Sequence, residues 1–242
     1  QTLRVLYPGN HLVYPKLGWG SNTEVRVRDD GTFGEGKRDW SAFGRRVRIS
    51  GGGSGLEAHA DLHVSVPRGQ ELTLRLAVGP VRVSNVEGTL MVDTGSGSVE
   101  ASGTRGELKV DTGSGSVVVN NASGHIDIDT GSGSVRLAGT RGDFLKVDTG
   151  SGGIEAHDVV TGELSFDTGS GDIEALGVKA DDLRLDTGSG SVEVELLGKA
   201  RSLDVDTGSG NVVVRVPADF GADISFESGS GDFETDLPLM AT

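Results

Sequence analysis

Asp-Thr-Gly-Ser-Gly is written seven times in this chain, beginning at Asp93, Asp111, Asp129, Asp148, Asp167, Asp186 and Asp206. A softened eighth copy reads Glu227-Ser228-Gly229-Ser230-Gly231. Successive copies start 18, 18, 19, 19, 19, 20 and 21 residues apart. A near-constant period of this size belongs to stacked architectures, in which each unit buries its apolar side only against its neighbours. The flanking residues say what is stacked. Before the pentapeptide stand alternating runs such as Leu108-Lys109-Val110 and Ile126-Asp127-Ile128, and after it come Val117-Val118-Val119 and Val192-Glu193-Val194. Alternation with a period of two marks a strand with one buried face. Each repeat is therefore two short strands joined by a glycine turn, with a second turn leading to the next copy.

Two topologies fit. In an antiparallel meander each Thr-Gly-Ser-Gly would be a hairpin tip. In a β-solenoid each repeat is one coil, and equivalent strands stack in parallel, a parallel β-helix-like arrangement. Near-identical repeats favour the second, because identical neighbours match best when translated by one strand spacing of about 4.8 Å. The expected fold is all-β: a solenoid of 18–21-residue two-strand coils over 71–237, eight to ten coils in a rod of about 40–50 Å. Ahead of it, 1–21 reads as an extended aromatic arm without regular structure. Residues 22–70 read as an irregular β cap with strands at Glu24–Arg28, Arg46–Ile49 and Leu62–Val66. Residues 238–242 form a tail.

Stacking puts like residues in columns. With Leu108 and Val110 inward, Asp111 points out and Thr112 points in at the corner, and so on at every copy. The threonines are then free to exchange hydroxyl bonds between coils, while the glycines adopt positive φ at the turn. Neighbouring carboxylates about 4.8 Å apart repel by roughly 1 kcal/mol in water. The expected compensation is an Asx-type turn, each Asp accepting from the following Ser hydroxyl and backbone N–H groups. The competing reading is a column of calcium ions held by Asp93, Asp111, Asp129, Asp148, Asp167, Asp186 and Asp206, although calcium asks for six to eight oxygens.

Composition excludes several functions. The chain has no cysteine, which rules out disulfides and thiolate zinc sites. No apolar run reaches the eighteen residues of a membrane span. The net charge of −14 is uneven: residues 1–70 hold 10 Lys and Arg against 7 Asp and Glu, and the repeats hold 12 against 29. An acidic body does not suit a phosphate backbone, so no nucleic acid is expected. Asp-Thr-Gly-Ser is also the aspartic-protease signature, but such an enzyme brings two aspartates together across two lobes. Short repeats cannot build those lobes. The five histidines are scattered, and Gly-x-Ser-x-Gly is absent. A lyase on a β-helix would need carboxylates beside a catalytic Arg, for which Arg82, Arg136 and Arg184 are the outward candidates. No catalytic residue, cofactor or resident metal is therefore assigned.

The run Val64-Ser65-Val66-Pro67-Arg68-Gly69, the Val81-Arg82-Val83 and Gly88-Thr89-Leu90 segments, the Asp-Thr-Gly-Ser-Gly copies and the closing Ile224–Phe233 carry a resemblance. Over about 60–237 the chain resembles a bacterial family of β-strand-repeat proteins of unknown function that carries an adhesin label. The resemblance implies a β-helix-like solenoid, usually exported, with no established catalytic residues.

The expected function is a non-catalytic, extracytoplasmic scaffold, a mature chain after signal cleavage. It is either adhesin-like, meeting envelope glycans, or an accessory subunit docked through residues 1–43 on a larger, membrane-embedded complex. A carbohydrate-active enzyme or glycan-binding module is the alternative. Six of eleven aromatics fall in the first 43 residues. Tyr7, Tyr14, Trp19 and Trp40 are the candidate partner-binding residues, since Trp and Tyr are enriched at binding hot spots.

Overall fold

The computed structural model describes residues 2–18, 20–28 and 44–221, with Ser225, Glu234 and Asp236. Trp19, Phe33, Trp40, Phe43, the softened repeat at 227–231 and the tail at 238–242 lie outside the described residues. Among the described residues the chain forms a parallel β-solenoid of eight coils and no α-helix. Each coil has a long and a short strand. Long strands include Gln70–Val78, Glu87–Ser96, Arg105–Ser114, Ser123–Thr130, Arg141–Thr149 and Val160–Thr168. Short strands include Val81–Ser84, Val99–Ser102, Val117–Asn120, Val135–Ala138 and Ile154–His157. Ile173–Thr187 passes through both positions unbroken, and Val192–Leu196, Ser202–Thr207 and Val212–Arg215 complete the stack.

Every pairing in the body is parallel and joins equivalent residues: Val117 lies between Val99 and Val135, and Asp129 between Asp111 and Asp148. Register holds because a one-residue slip would turn every valine outward. The short strands bury pairs such as Val117 and Val119, and the long ones trios such as Ile126, Ile128 and Thr130. Burying each large apolar side chain is worth about 1.5–3 kcal/mol. Phe166 is the largest side chain in this narrow core. The first 19-residue spacing enters as a bulge in the long strand, where Ser123 faces Arg141 but His125 faces Phe144.

The glycines of the pentapeptide are required by close approach, not by positive φ as the sequence suggested. A Cβ on Gly133 would lie 1.9 Å from the carbonyl oxygen of Gly115, and one on Gly152 2.0 Å from that of Gly133. Positive φ belongs to the other corner, whose stacked positions are Asn85, Gly103, Asn121, Gly139, Asp158 and Gly177. Glycine alternates there with Asn or Asp. A Cβ on Gly139 would meet the Asn121 Oδ1 at 2.8 Å, so each amide leans over a neighbour that has no side chain.

The cap differs from expectation in two places. Residues 1–21 are not an arm without regular structure: His11–Val13 pairs in parallel with Arg48–Ser50, and Pro15–Leu17 is a 3-10 turn. Together with Asn22–Val27 and Leu56–Glu57 these strands make a four-stranded sheet. Leu12, Val47 and Ile49 form its core, packed on Ala77 and Val78 of the first coil. The expected strand at Leu62–Val66 does not form; that stretch has no regular structure and joins no sheet, with Leu62 and Val64 more than half exposed.

Candidate functional site

The pentapeptide turn is closed by threonine, not by aspartate. The N–H groups of Gly133, Gly152, Gly171 and Gly190 donate to the hydroxyls of Thr130, Thr149, Thr168 and Thr187, at 3.1–3.2 Å. Those hydroxyls in turn donate to the carbonyls of Gly115, Gly133, Gly152 and Gly171 in the preceding coil, at 3.2, 3.0, 2.8 and 2.8 Å. The threonines therefore bond glycine backbone in their own turn and in the turn of the preceding coil, not one another. The Asx-type turn expected of the aspartates gives way to this ladder.

The aspartates do form one column, in register from Asp93 to Asp206. Cations temper it: Arg75 takes the column's place on the first coil, its Nε 3.9 Å from Asp93, and from the side the Arg184 guanidinium is 3.3 Å from both Asp186 and Asp204. Midway along, burial pushes the Asp167 carboxyl above its ordinary range, and repulsion from Asp148 and Asp186 adds to it. Among the described residues no three His, Asp or Glu side chains gather in a way that could hold a metal ion.

Of the aromatic candidates, Tyr7 and Tyr14 pack half-buried against the Leu12, Val47 and Ile49 cluster. Tyr14 also lies 6.5 Å, ring to ring, from His59. These two rings thus serve the junction between cap and first coil, whereas Trp19 and Trp40 lie outside the described residues.

One further group is brought together on the outer face of the short strands. Position 153 holds Gly where the neighbouring coils have Ser134, Asp172 and Ser191. The missing side chain opens a notch of about 180 Å³ lined by Ser134, Arg136, Gly153, Glu155, Asp172 and Glu174. Within it the Arg136 Nε donates to Glu155 at 2.8 Å, and beside it the His157 Nε2 lies 3.2 Å from Glu155 and 3.8 Å from Glu174. The bonds from Arg136 and then His157 hold the Glu155 carboxyl below its ordinary range. Asp172 accepts from the Ser191 N–H at 2.8 Å. Arg136 was legible as an outward arginine, but the notch was not. Its one signal is Gly-Gly at 152–153 where other copies end in Gly-Ser, Gly-Asp or Gly-Asn.

No curated protein and no solved structure matches the chain. A protein-family model does, over residues 106–241, more than half of the length. The match begins later than the resemblance read from the sequence and describes the stacked repeat; an adhesin role is no part of it. By its coils and by this match, the chain belongs to the Toastrack DUF4097 family of β-strand-repeat domains, whose function is not assigned.

Proposed function

We propose that the protein is a non-catalytic, extracytoplasmic accessory subunit: a rigid acidic rod held by its N-terminal end on a larger, membrane-embedded assembly. One observation supports the docking end above others. Leu3, Val5, Leu6, Leu56, Leu62 and Val64 are large apolar side chains left exposed, Leu3 at 69%, and all lie in the first 64 residues. The described body also exposes Val160, Leu197 and Val212, Val213 and Val214, but its outer columns carry charge joined coil to coil by pairs such as Arg82–Glu100, Arg136–Glu155 and Arg201–Asp182. Clustered exposed apolar side chains mark contact surfaces, and outer charges keep a β rod from pairing with others. Residues 1–70 also carry the positive excess of the chain.

The cap geometry restricts the test. Removing all of 1–21 would pull Leu12 and Val13 out of the cap sheet, so loss of association would be confounded with loss of the cap. Leu3→Asp with Val5→Asp changes only exposed positions. In a gentle detergent extract of the host envelope, the wild-type chain should sediment with a large complex. The double variant should sediment as a free particle near 25 kDa with an unchanged melting temperature. A wild-type chain that sediments alone would overturn the docked reading and leave the adhesin-like one.

A further inference from the structure

We infer that the notch at Gly153 is a subsite for one amino-bearing sugar unit of a linear glycan lying along the rod. The site is a cavity made by a single missing side chain, and beside Val135 and Ile154 its lining residues carry a Ser hydroxyl, one guanidinium and three carboxylates. Planar carboxylates and guanidinium groups bind vicinal hydroxyls through paired hydrogen bonds, and about 180 Å³ holds a single pyranose ring. The charge selects the class of sugar. Arg136 engages Glu155, which leaves Glu174 and Asp172 in excess over the one imidazole of His157, and on the next coil Glu193 pairs with Arg215 while Glu195 adds a further carboxylate. A protonated amine is drawn to that excess, whereas a uronic acid is repelled.

Periodicity favours a polymer over a free monosaccharide. The coil step of about 4.8 Å is close to the advance per residue of an extended pyranose chain. Successive sugars would therefore meet equivalent positions on successive coils, with Ser134, Gly153 and Asp172 following one another along the axis. This inference does not depend on the docked reading, because the notch lies in the body, away from the cap.

The test is calorimetric titration of the full chain with β-1,4-linked glucosamine oligomers and with their fully N-acetylated counterparts. The free-amine oligomer should bind at least tenfold more tightly. Gly153→Ser fills the notch with the residue that the neighbouring column positions carry, and the nearest atom to a Cβ there is the Asp172 carbonyl oxygen at 3.3 Å. That variant should still fold, with a small loss of melting temperature as that oxygen gives by a few tenths of an ångström, and bind at least tenfold more weakly; Glu174→Gln should weaken binding without filling the space. No binding at millimolar oligomer, or equal binding by Gly153→Ser, would overturn the subsite. Equal binding of both oligomers would overturn the role given to the amine. Binding of a lysine-rich peptide with the same dependence on Gly153 and Glu174 would overturn the sugar assignment in favour of a general cation surface.

Discussion

Thr130, Thr149, Thr168 and Thr187 each serve two coils through one hydroxyl, which accepts from its own turn and donates to the turn before, whereas the Thr94 hydroxyl in the first pentapeptide is buried without a partner. Replacing one of those four isosterically strands both glycine partners. Thr149→Val should leave the Gly133 carbonyl and the Gly152 N–H without their bonds and destabilise the fold by about 1–3 kcal/mol in urea unfolding. Thr104 and Thr140 make the contrast. Their hydroxyls are buried without a partner at the other corner, where later coils place Val159 and Val178. Thr140→Val should therefore be neutral or stabilising by up to about 1 kcal/mol in the same measurement. A loss at Thr140 equal to that at Thr149 would mean that residue type, not the ladder, sets the effect. Gly133→Ala should cost more than either, because its Cβ would meet backbone at 1.9 Å, whereas Gly198→Ala meets nothing within 4 Å. At this scale the sequence announced which positions matter but not why. Inward Thr followed from alternation, while a glycine required by its neighbouring coil looks the same as one required by φ.

Elements were legible in proportion to how often they repeat. Alternation and a common spacing fixed the register of the body, since any slip would be repeated at every coil. The cap has no second copy to check against. His11-Leu12-Val13 follows Pro8, Gly9 and Asn10 and looks like a loop, yet it forms a parallel strand because Arg45–Ser50 offers a free edge and Leu12 finds Val47 and Ile49. Leu62–Val66 has a better strand pattern and forms none, because nothing among the described residues pairs with it. Pattern states what a segment can do; the available edge decides. Stability in stacked repeats is carried by each unit and its neighbour interfaces, so the cap should open apart from the body. Leu12→Ala removes a core contact worth about 2 kcal/mol or more. In hydrogen exchange it should speed the amides of 45–50 while those of 117–120 stay protected. Equal acceleration in both would show cap and body unfolding as one unit.

Across the whole molecule, the same register that orders the core also lines up seven carboxylates from Asp93 to Asp206, in a chain of net charge −14. Their repulsion is spread along the rod and opposed by lateral cations such as Arg184. Asp167 and Glu155 then have opposite pH signatures. For Asp167 the folded state raises the pKa above 3.8, so folding disfavours the charged form. The resulting destabilisation is full above the raised value and vanishes once the pH falls below 3.8. For Glu155 the folded state lowers the pKa below 4.5; its stabilisation is full above 4.5 and is lost as the pH falls through the lowered value. Asp167→Asn should accordingly melt higher than wild type at pH 7. The gap should narrow as the pH is lowered through the raised pKa and close below 3.8. Screening shortens the range of charge to about 3 Å in 1 M salt, so added salt should raise the wild-type melting temperature more than that of the variant. If calcium occupied the column, it would relieve the same repulsion and the wild type would melt higher in calcium than in chelator. With the column held by side cations and the threonine ladder alone, the two melting curves should coincide, and a calcium-dependent rise that Asp167→Asn reduces would restore the metal reading.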